Sequence, residues 1–342
     1  MFIAGIDEAG LGPVLGPFCA EGAAFETGNE NLFNELSHVC GIKKKTSDQN
    51  SLHVPVADSK ILYTQGTGLA VLERTVLIFA ALAAGRLPED TADFLTLLDT
   101  TDSLNKNNKN HDTLILPCAY RKGSLEETRM DLKNDAEKLG DALQNAGVSI
   151  LKLVVRMTDA AGFNRLLRSS ANKSIACQKI IGPLLYEIIN ACSERQEFQR
   201  PPSPVSGRNN NCITGTVHPM VRIAVDAQGG RKFYIPFLTE YVPEKIFNTD
   251  FERGDGSKYF SDNVEIIFRP RADSIYFETA LASMTAKYVR ECAMRIFNRT
   301  WQIRAPGIKP TAGYPKDGKR FIAEITARGL LPEDSDSLIR IK

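Results

Sequence analysis

The chain has 342 residues, 43% of them hydrophobic and 24% charged, with a formal net charge of +1. That length suits one elaborated domain or two, and the near-neutral balance gives no whole-chain support for a polyanionic partner, so any nucleic-acid surface must be local. No apolar run is long enough to span a bilayer and no basic-then-apolar leader is visible, while seven scattered cysteines with no C-x-x-C pair argue against a disulfide framework or a structural zinc site and for a reducing, cytoplasmic compartment.

The first element is a short apolar strand, Phe2 to Ile6, that delivers two adjacent carboxylates, Asp7 and Glu8. Adjacent strand residues face opposite sides, so both acids serve one site only if the strand ends or bulges there. The Gly10-Leu11-Gly12-Pro13 stretch that follows supplies such a break and lets main-chain N–H groups approach a polar ligand. A second strand runs from Phe18 to Phe25. Residues 28–54 are polar, with a Lys43-Lys44-Lys45 run read as a solvated face. Asp58 or Ser59 is the expected cap of a helix over 66–84. Residues 88–117 open with an acidic helical piece and run into the loop composition of 105–111. An amphipathic helix is expected over 125–146, a strand over 149–157, a short helix after Thr158 and a longer one over 172–196.

Residues 197–215 are rich in proline and asparagine and read as a loop. A strand over 220–225 ends in Asp226, and residues 229–262 read as a polar insertion with apolar islands. A last strand, 264–268, leads through Arg269-Pro270-Arg271-Ala272-Asp273 into a long helix over 274–298. There are no internal repeats. Strands with intervening helices, led by two adjacent strands, predict an α/β fold with a central mixed sheet.

Asp226 and Asp273 share the strand-end placement of Asp7 and Glu8. Singly, Asp226 reads as a turn former and Asp273 as a helix cap. Jointly, four carboxylates at one sheet edge would repel one another unless cations were bound. Hard oxygen donors suit Mg²⁺ or Mn²⁺, and two such ions about 4 Å apart can activate water and stabilise the leaving oxygen of a phosphodiester.

Five ordered landmarks resemble ribonuclease HII, of the ribonuclease H-like superfamily. They are Gly5-Ile6-Asp7-Glu8-Ala9-Gly10-x-Gly12-Pro13-x-x-Gly16-Pro17, Asp58-Ser59-Lys60, the strand ending in Asp226, Asp273 with the helix carrying Ala282 to Glu291, and Lys309-Pro310-Thr311-Ala312-Gly313-Tyr314-Pro315. The resemblance implies a ribonuclease H-like central mixed sheet flanked by helices, with a C-terminal helical extension. It implies cleavage of the RNA strand of RNA–DNA hybrids, or at ribonucleotides embedded in DNA, leaving 5′-phosphate ends. It casts Asp7, Glu8, Asp226 and Asp273 as catalytic and metal-binding groups for two Mg²⁺ or Mn²⁺ ions. The main chain of Gly10, Leu11 and Gly12 would hold the ribose 2′-hydroxyl, Tyr314 would stack on the neighbouring sugar, and Lys60 and Ser283 would contact the phosphate backbone. The partner implied is a hybrid or ribonucleotide-containing duplex bound by a monomer, with no membrane.

On the same comparison, residues 1–298 form the catalytic domain, with insertions near 28–54, 87–145, 197–217 and 229–262, and 299–342 a substrate-binding extension. That extension and the helix before it are locally basic, with Arg295, Arg299, Arg304, Lys309, Lys316, Lys319 and Arg320 interleaved with Phe297, Trp301 and Tyr314. Two departures bear on specificity. Leu11 stands where the family has a basic residue, and Lys316 and Lys319 replace a threonine and a histidine. The alternatives are a nuclease of changed specificity, acting on DNA or structured RNA, and a non-catalytic nucleic-acid-binding relative.

Overall fold

The computed structural model describes residues 1–41, 52–63, 68–98, 113–199, 221–227 and 231–341. The Lys43-Lys44-Lys45 run, the 105–111 stretch and residues 200–217 lie outside the described residues. In chain order the elements are β1 (Phe2–Ala9), β2 (Phe18–Thr27), α1 (Leu32–Glu35), α2 (Ser37–Cys40), α3 (Ser59–Leu62), α4 (Gly68–Ala84), α5 (Thr91–Leu97) and α6 (Leu125–Asn145). Then come β3 (Val148–Thr158), α7 (Ala160–Arg168), α8 (Lys173–Gln199), β4 (Val221–Asp226), α9 (Ile235–Tyr241), β5 (Asn248–Arg253), β6 (Gly256–Ser261), β7 (Val264–Arg269), α10 (Phe277–Arg304) and α11 (Pro315–Ala327).

The strands form one mixed sheet in the order β3-β2-β1-β4-β7-β6-β5. β1 takes an interior place because both of its faces are apolar: Phe2, Ala4 and Ile6 turn to one side and Ile3 to the other, all buried. A strand covered on both faces reads as a continuous hydrophobic run. β1 pairs antiparallel with β2 and parallel with β4, and β4 pairs parallel with β7. The β1–β4 register sets Ile6 opposite Val225. The next residue on each strand is an aspartate, Asp7 on β1 and Asp226 on β4. Two carboxylates are thus set side by side at the carboxyl ends of adjacent parallel strands, where open α/β sheets bind their ligands.

One face of the sheet is covered by α10, with α4 and α6 beyond it; the other is covered by α8 and α9. On α10, Phe277, Leu281, Met284 and Tyr288 recur at helical spacing and are buried. Each contributes roughly 1.5–3 kcal/mol, well above the ~0–1 kcal/mol of an exposed ion pair, so apolar burial fixes this helix on the sheet. Gly5 permits the approach: a Cβ there would stand 2.2 Å from the backbone nitrogen of Thr279. On α6, Leu132, Ala136, Leu139 and Leu143 form the buried stripe, and Ser124 and Glu127 close a capping box at its start. Among the described residues no helix is long and apolar enough to cross a membrane.

Three local differences from the sequence reading have physical causes. Asp58 caps α3, a separate single turn, accepting from the Lys60 N–H at 2.8 Å, while the long helix begins at Gly68. Within 229–262 the chain forms α9 and the β5–β6 hairpin, which extends the sheet beyond β7. β5 is largely exposed and polar, so no hydrophobic alternation marks it. Trp301 and Phe297 pack on Phe321 in a small apolar cluster with Val14, Leu15, Ile325 and Leu338. Those two aromatics of the basic segment belong to a core, whereas Tyr314 is 54% exposed.

Candidate active site

Asp7, Glu8 and Asp226 offer carboxylate oxygens that all lie within 4.8 Å of one another. The strand does not end before Glu8. It continues to Ala9, with Glu8 paired to Ala20 of β2, so the two acids leave opposite faces on its last rungs. Asp7 turns toward α10, where Ser283 hydrogen-bonds its carboxyl. Glu8 lies on the α8–α9 side, where its charge is felt by Cys177 and Tyr234. The Glu8 N–H donates to Asp7 Oδ1 at 2.6 Å, and the Ala272 N–H donates to Asp226 Oδ1 at 3.0 Å.

Electrostatics set the chemistry. Burial first, then the charges of Glu8 and Asp226, pushes the Asp7 carboxyl well above the usual range. Burial likewise raises Asp226. Asp273 is buried in a short 3₁₀ turn after β7, before α10 begins, and is raised to about 6 by burial and by the charges of Asp58 and Asp226. Three carboxylates that burial and mutual repulsion push toward protonation are what a divalent cation would hold ionised. An all-oxygen donor set fits Mg²⁺ or Mn²⁺ and not a soft metal. Asp273 adjoins Asp226 without belonging to the 4.8 Å trio.

The remaining predicted residues fall into two groups. Ser283 is buried, bonded to Asp7 and 3.3 Å from the Ser59 hydroxyl. Lys60 is exposed, and its charge lowers both Asp226 and Asp273. The second group lies just past Glu8. Gly10 has φ +92, a conformation favouring glycine. Leu11 packs partly buried against the α8–α9 apolar cluster, and Gly12 is exposed with open space around it. The Tyr314 segment docks on this loop, since the Gly313 carbonyl accepts from the Val14 N–H at 2.8 Å and the Leu15 N–H at 3.2 Å. The Arg290 guanidinium lies 5.4 Å from the centre of the Tyr314 ring and donates to the Ala312 carbonyl at 2.8 Å.

Sequence reasoning missed Asp58 as a neighbour of the acids; it hydrogen-bonds Asp273, although the Asp58-Ser59-Lys60 motif had drawn attention to it as a cap. It also missed Tyr63, Lys287 and Glu291. The Lys287 ammonium sits 3.9 Å over the Tyr63 ring, and the Tyr63 hydroxyl donates to Glu291 at 3.5 Å. A helical signal for them exists: Ser283, Lys287, Arg290 and Glu291 stand at i, i+4, i+7 and i+8, one face of α10.

No protein-family model and no curated protein matches the chain. Among solved structures it is similar to the ribonuclease HII of the PCNA:RNase HII complex from Archaeoglobus fulgidus, with 16% identity over 100% of this chain and 95% of that one, at TM-score 0.41. It is similar to the ribonuclease H2 of Pyrococcus horikoshii, with 14% identity over 99% and 92%, at TM-score 0.41. It is similar also to Bst-RNase HIII in complex with Mn²⁺, with 14% identity over 100% and 66%, at TM-score 0.37. These belong to the group of ribonucleases that the sequence landmarks resemble.

Proposed function

We propose that the chain is a divergent endonuclease of the ribonuclease HII type, hydrolysing the RNA strand of RNA–DNA hybrids or the junction at ribonucleotides embedded in DNA. The observation that carries this reading is the trio Asp7, Glu8 and Asp226, whose oxygens gather within 4.8 Å at the ends of two parallel strands. With Asp273 they would hold two Mg²⁺ or Mn²⁺ ions, which supply a water of lowered pKa and neutralise charge on the leaving oxygen. The chain's own work is positioning. Ser283 and the Glu8 N–H orient the Asp7 carboxylate, and the Ala272 N–H orients Asp226. The main chain at Gly10, Leu11 and Gly12 holds the ribose 2′-hydroxyl, Tyr314 stacks on the adjoining sugar, and Lys60 meets the phosphate backbone. Residues 1–298 carry the catalytic part and 299–342 the substrate-binding part, where exposed Lys309, Lys316 and Lys319 attract the duplex.

A second reading has one observation behind it. Leu11 turns its side chain into the apolar cluster and brings no charge to a phosphate, which favours changed specificity toward DNA or structured RNA. One assay separates the two. Matched duplexes, all DNA, with one embedded ribonucleotide, and RNA–DNA hybrid, are incubated with Mg²⁺ or Mn²⁺. Cleavage limited to the ribonucleotide-bearing duplexes supports the first reading; equal cleavage of all three supports the second. No cleavage of any, by protein that binds Mn²⁺, removes the first reading and the DNA form of the second.

A further inference from the structure

Arg340 lies 330 residues beyond Gly10, yet its guanidinium donates to the Gly10 carbonyl. The segment that carries it is pinned from two sides. The Arg340 N–H donates to the Val14 carbonyl at 2.8 Å, and Ile339 forms an antiparallel bridge with Leu15. Asn164 of α7, fully buried, donates to the Ile339 carbonyl at 2.8 Å and to the Asp336 carbonyl at 3.2 Å, and accepts from the Ile341 N–H at 2.9 Å.

The arginine itself is 2% exposed and sits 4.0 Å from the centre of the Phe163 ring. Its Nε and one terminal nitrogen have no hydrogen-bond partner. Burial, then the charge of Arg290, brings its pKa down to about 10, so it stays charged at neutral pH. A buried guanidinium with unmade hydrogen bonds is costly, and a packing role alone is met more cheaply by an apolar side chain. Arg290 presses on the same loop: a Cβ on Gly10 would stand 2.9 Å from its Cδ and Nε. Gly10 is therefore gripped between two buried arginines.

The geometry of the peptide unit supplies the function. Across a planar trans peptide, C=O and N–H point in opposite directions. With the Gly10 carbonyl drawn inward onto Arg340, the Leu11 N–H of the same peptide faces away from the core. We infer that Arg340 is a positioning residue which, through the Gly10 carbonyl, aims the Leu11 amide at the ribose 2′-hydroxyl. This rests on the ribonucleotide reading above. Without the guanidinium, glycine's tolerance of either sign of φ frees the peptide to rotate, and the amide loses its aim.

The test is fluorescence anisotropy with the full chain and a DNA duplex carrying one ribonucleotide, against its all-deoxy twin, with Ca²⁺ replacing Mg²⁺ to hold off cleavage. Wild type binds the ribonucleotide duplex more tightly. Arg340→Met cuts that preference by about tenfold, the worth of one hydrogen bond, and affects the all-deoxy duplex by a smaller factor. A merely structural role would weaken both alike and leave the ratio standing. Arg340→Lys, which keeps the charge but not the fork of donors, retains part of the preference. It decides the matter if the methionine variant fails to fold, because an undiminished preference in a folded lysine variant overturns the inference. Undiminished preference in folded Arg340→Met likewise overturns it alone. Absence of any preference in wild type overturns it together with the ribonucleotide reading.

Discussion

Gly5→Ala tests the seating of α10 on the sheet, on which the whole site depends. The new Cβ would lie 2.2 Å from Thr279 N, 2.4 Å from Glu278 C and 2.5 Å from Thr279 Cα. All three are backbone atoms, so no side chain can swing aside. Ordinary contact begins at 3.4 Å, so α10 must withdraw from β1 by 1.2 Å (3.4 − 2.2). Two effects oppose each other. Alanine lowers the entropy of the unfolded chain, which stabilises by about 0.4–1 kcal/mol. Overpacking at a rigid backbone contact costs about 1–3 kcal/mol or more, and lifting a helix whose Phe277, Leu281, Met284 and Tyr288 are all buried puts the cost at the upper end. The net expectation is a loss of about 2–3 kcal/mol. The same displacement pulls Ser283 from Asp7, and an error of about 1 Å at a reacting centre can cost about a hundredfold in rate. Urea melts followed by fluorescence and by circular dichroism measure the first quantity, and cleavage of a ribonucleotide-bearing duplex the second. A variant within about 0.5 kcal/mol of wild type and equally active would mean that α10 does not rest on β1 at Gly5.

Asp7→Asn should abolish cleavage and remove the rise in melting temperature that Mn²⁺ gives the wild type. It should leave the metal-free protein at least as stable, because burial and the charges of Glu8 and Asp226 already disfavour an ionised Asp7; a lower metal-free melting temperature counts against this. Asp273 is raised from 3.8 to about 6, so the folded state binds its proton more tightly than the unfolded state. Its contribution is full below pH 4 and lost as the pH rises through 6. Metal-free wild type should therefore gain about 1–2 kcal/mol relative to Asp273→Asn between pH 7 and pH 4, after allowance for solvent screening, and parallel pH profiles would refute this. Glu73 is fully buried and accepts from the N–H groups of Cys118, Ala119 and Tyr120 and from the Tyr288 hydroxyl at 2.5–2.8 Å. Glu73→Ala should cost about 3 kcal/mol or more in a urea melt, since four donors lose their acceptor at once; a loss under about 1 kcal/mol would show that water replaces the carboxylate.

The acid trio was legible because strand-end position and residue type sit in short stretches of sequence. Asp7 and Asp226 each follow an apolar run, and the parallel pairing of those runs sets the two side by side. The exposed loop that carries Tyr314 was legible from its glycine and proline neighbours. Residues whose partners are far away were harder to see. Trp301 looked available for stacking, and only the fold shows it packed with Phe297 and Phe321 in one cluster of three rings. The β5–β6 hairpin lacks hydrophobic alternation, yet its two-residue Gly254-Asp255 turn is a hairpin signal that an eye set on apolar periodicity passes over. Arg340 carried no local mark at all, because its meaning depends on a carbonyl 330 positions away.

The stitching of the Gly10–Leu15 loop to Gly313 and Arg340 has a consequence for synthesis. Arg340 is translated 330 residues after Gly10. At about 5–20 residues per second, the nascent chain carries its acids for roughly 15 to 65 seconds before the loop beside them can take its final form. A nascent chain still short of Arg340 would hold the carboxylates beside a loop that lacks its guanidinium anchor. The loop beside the acids thus takes its shape only after every strand of the sheet has been translated.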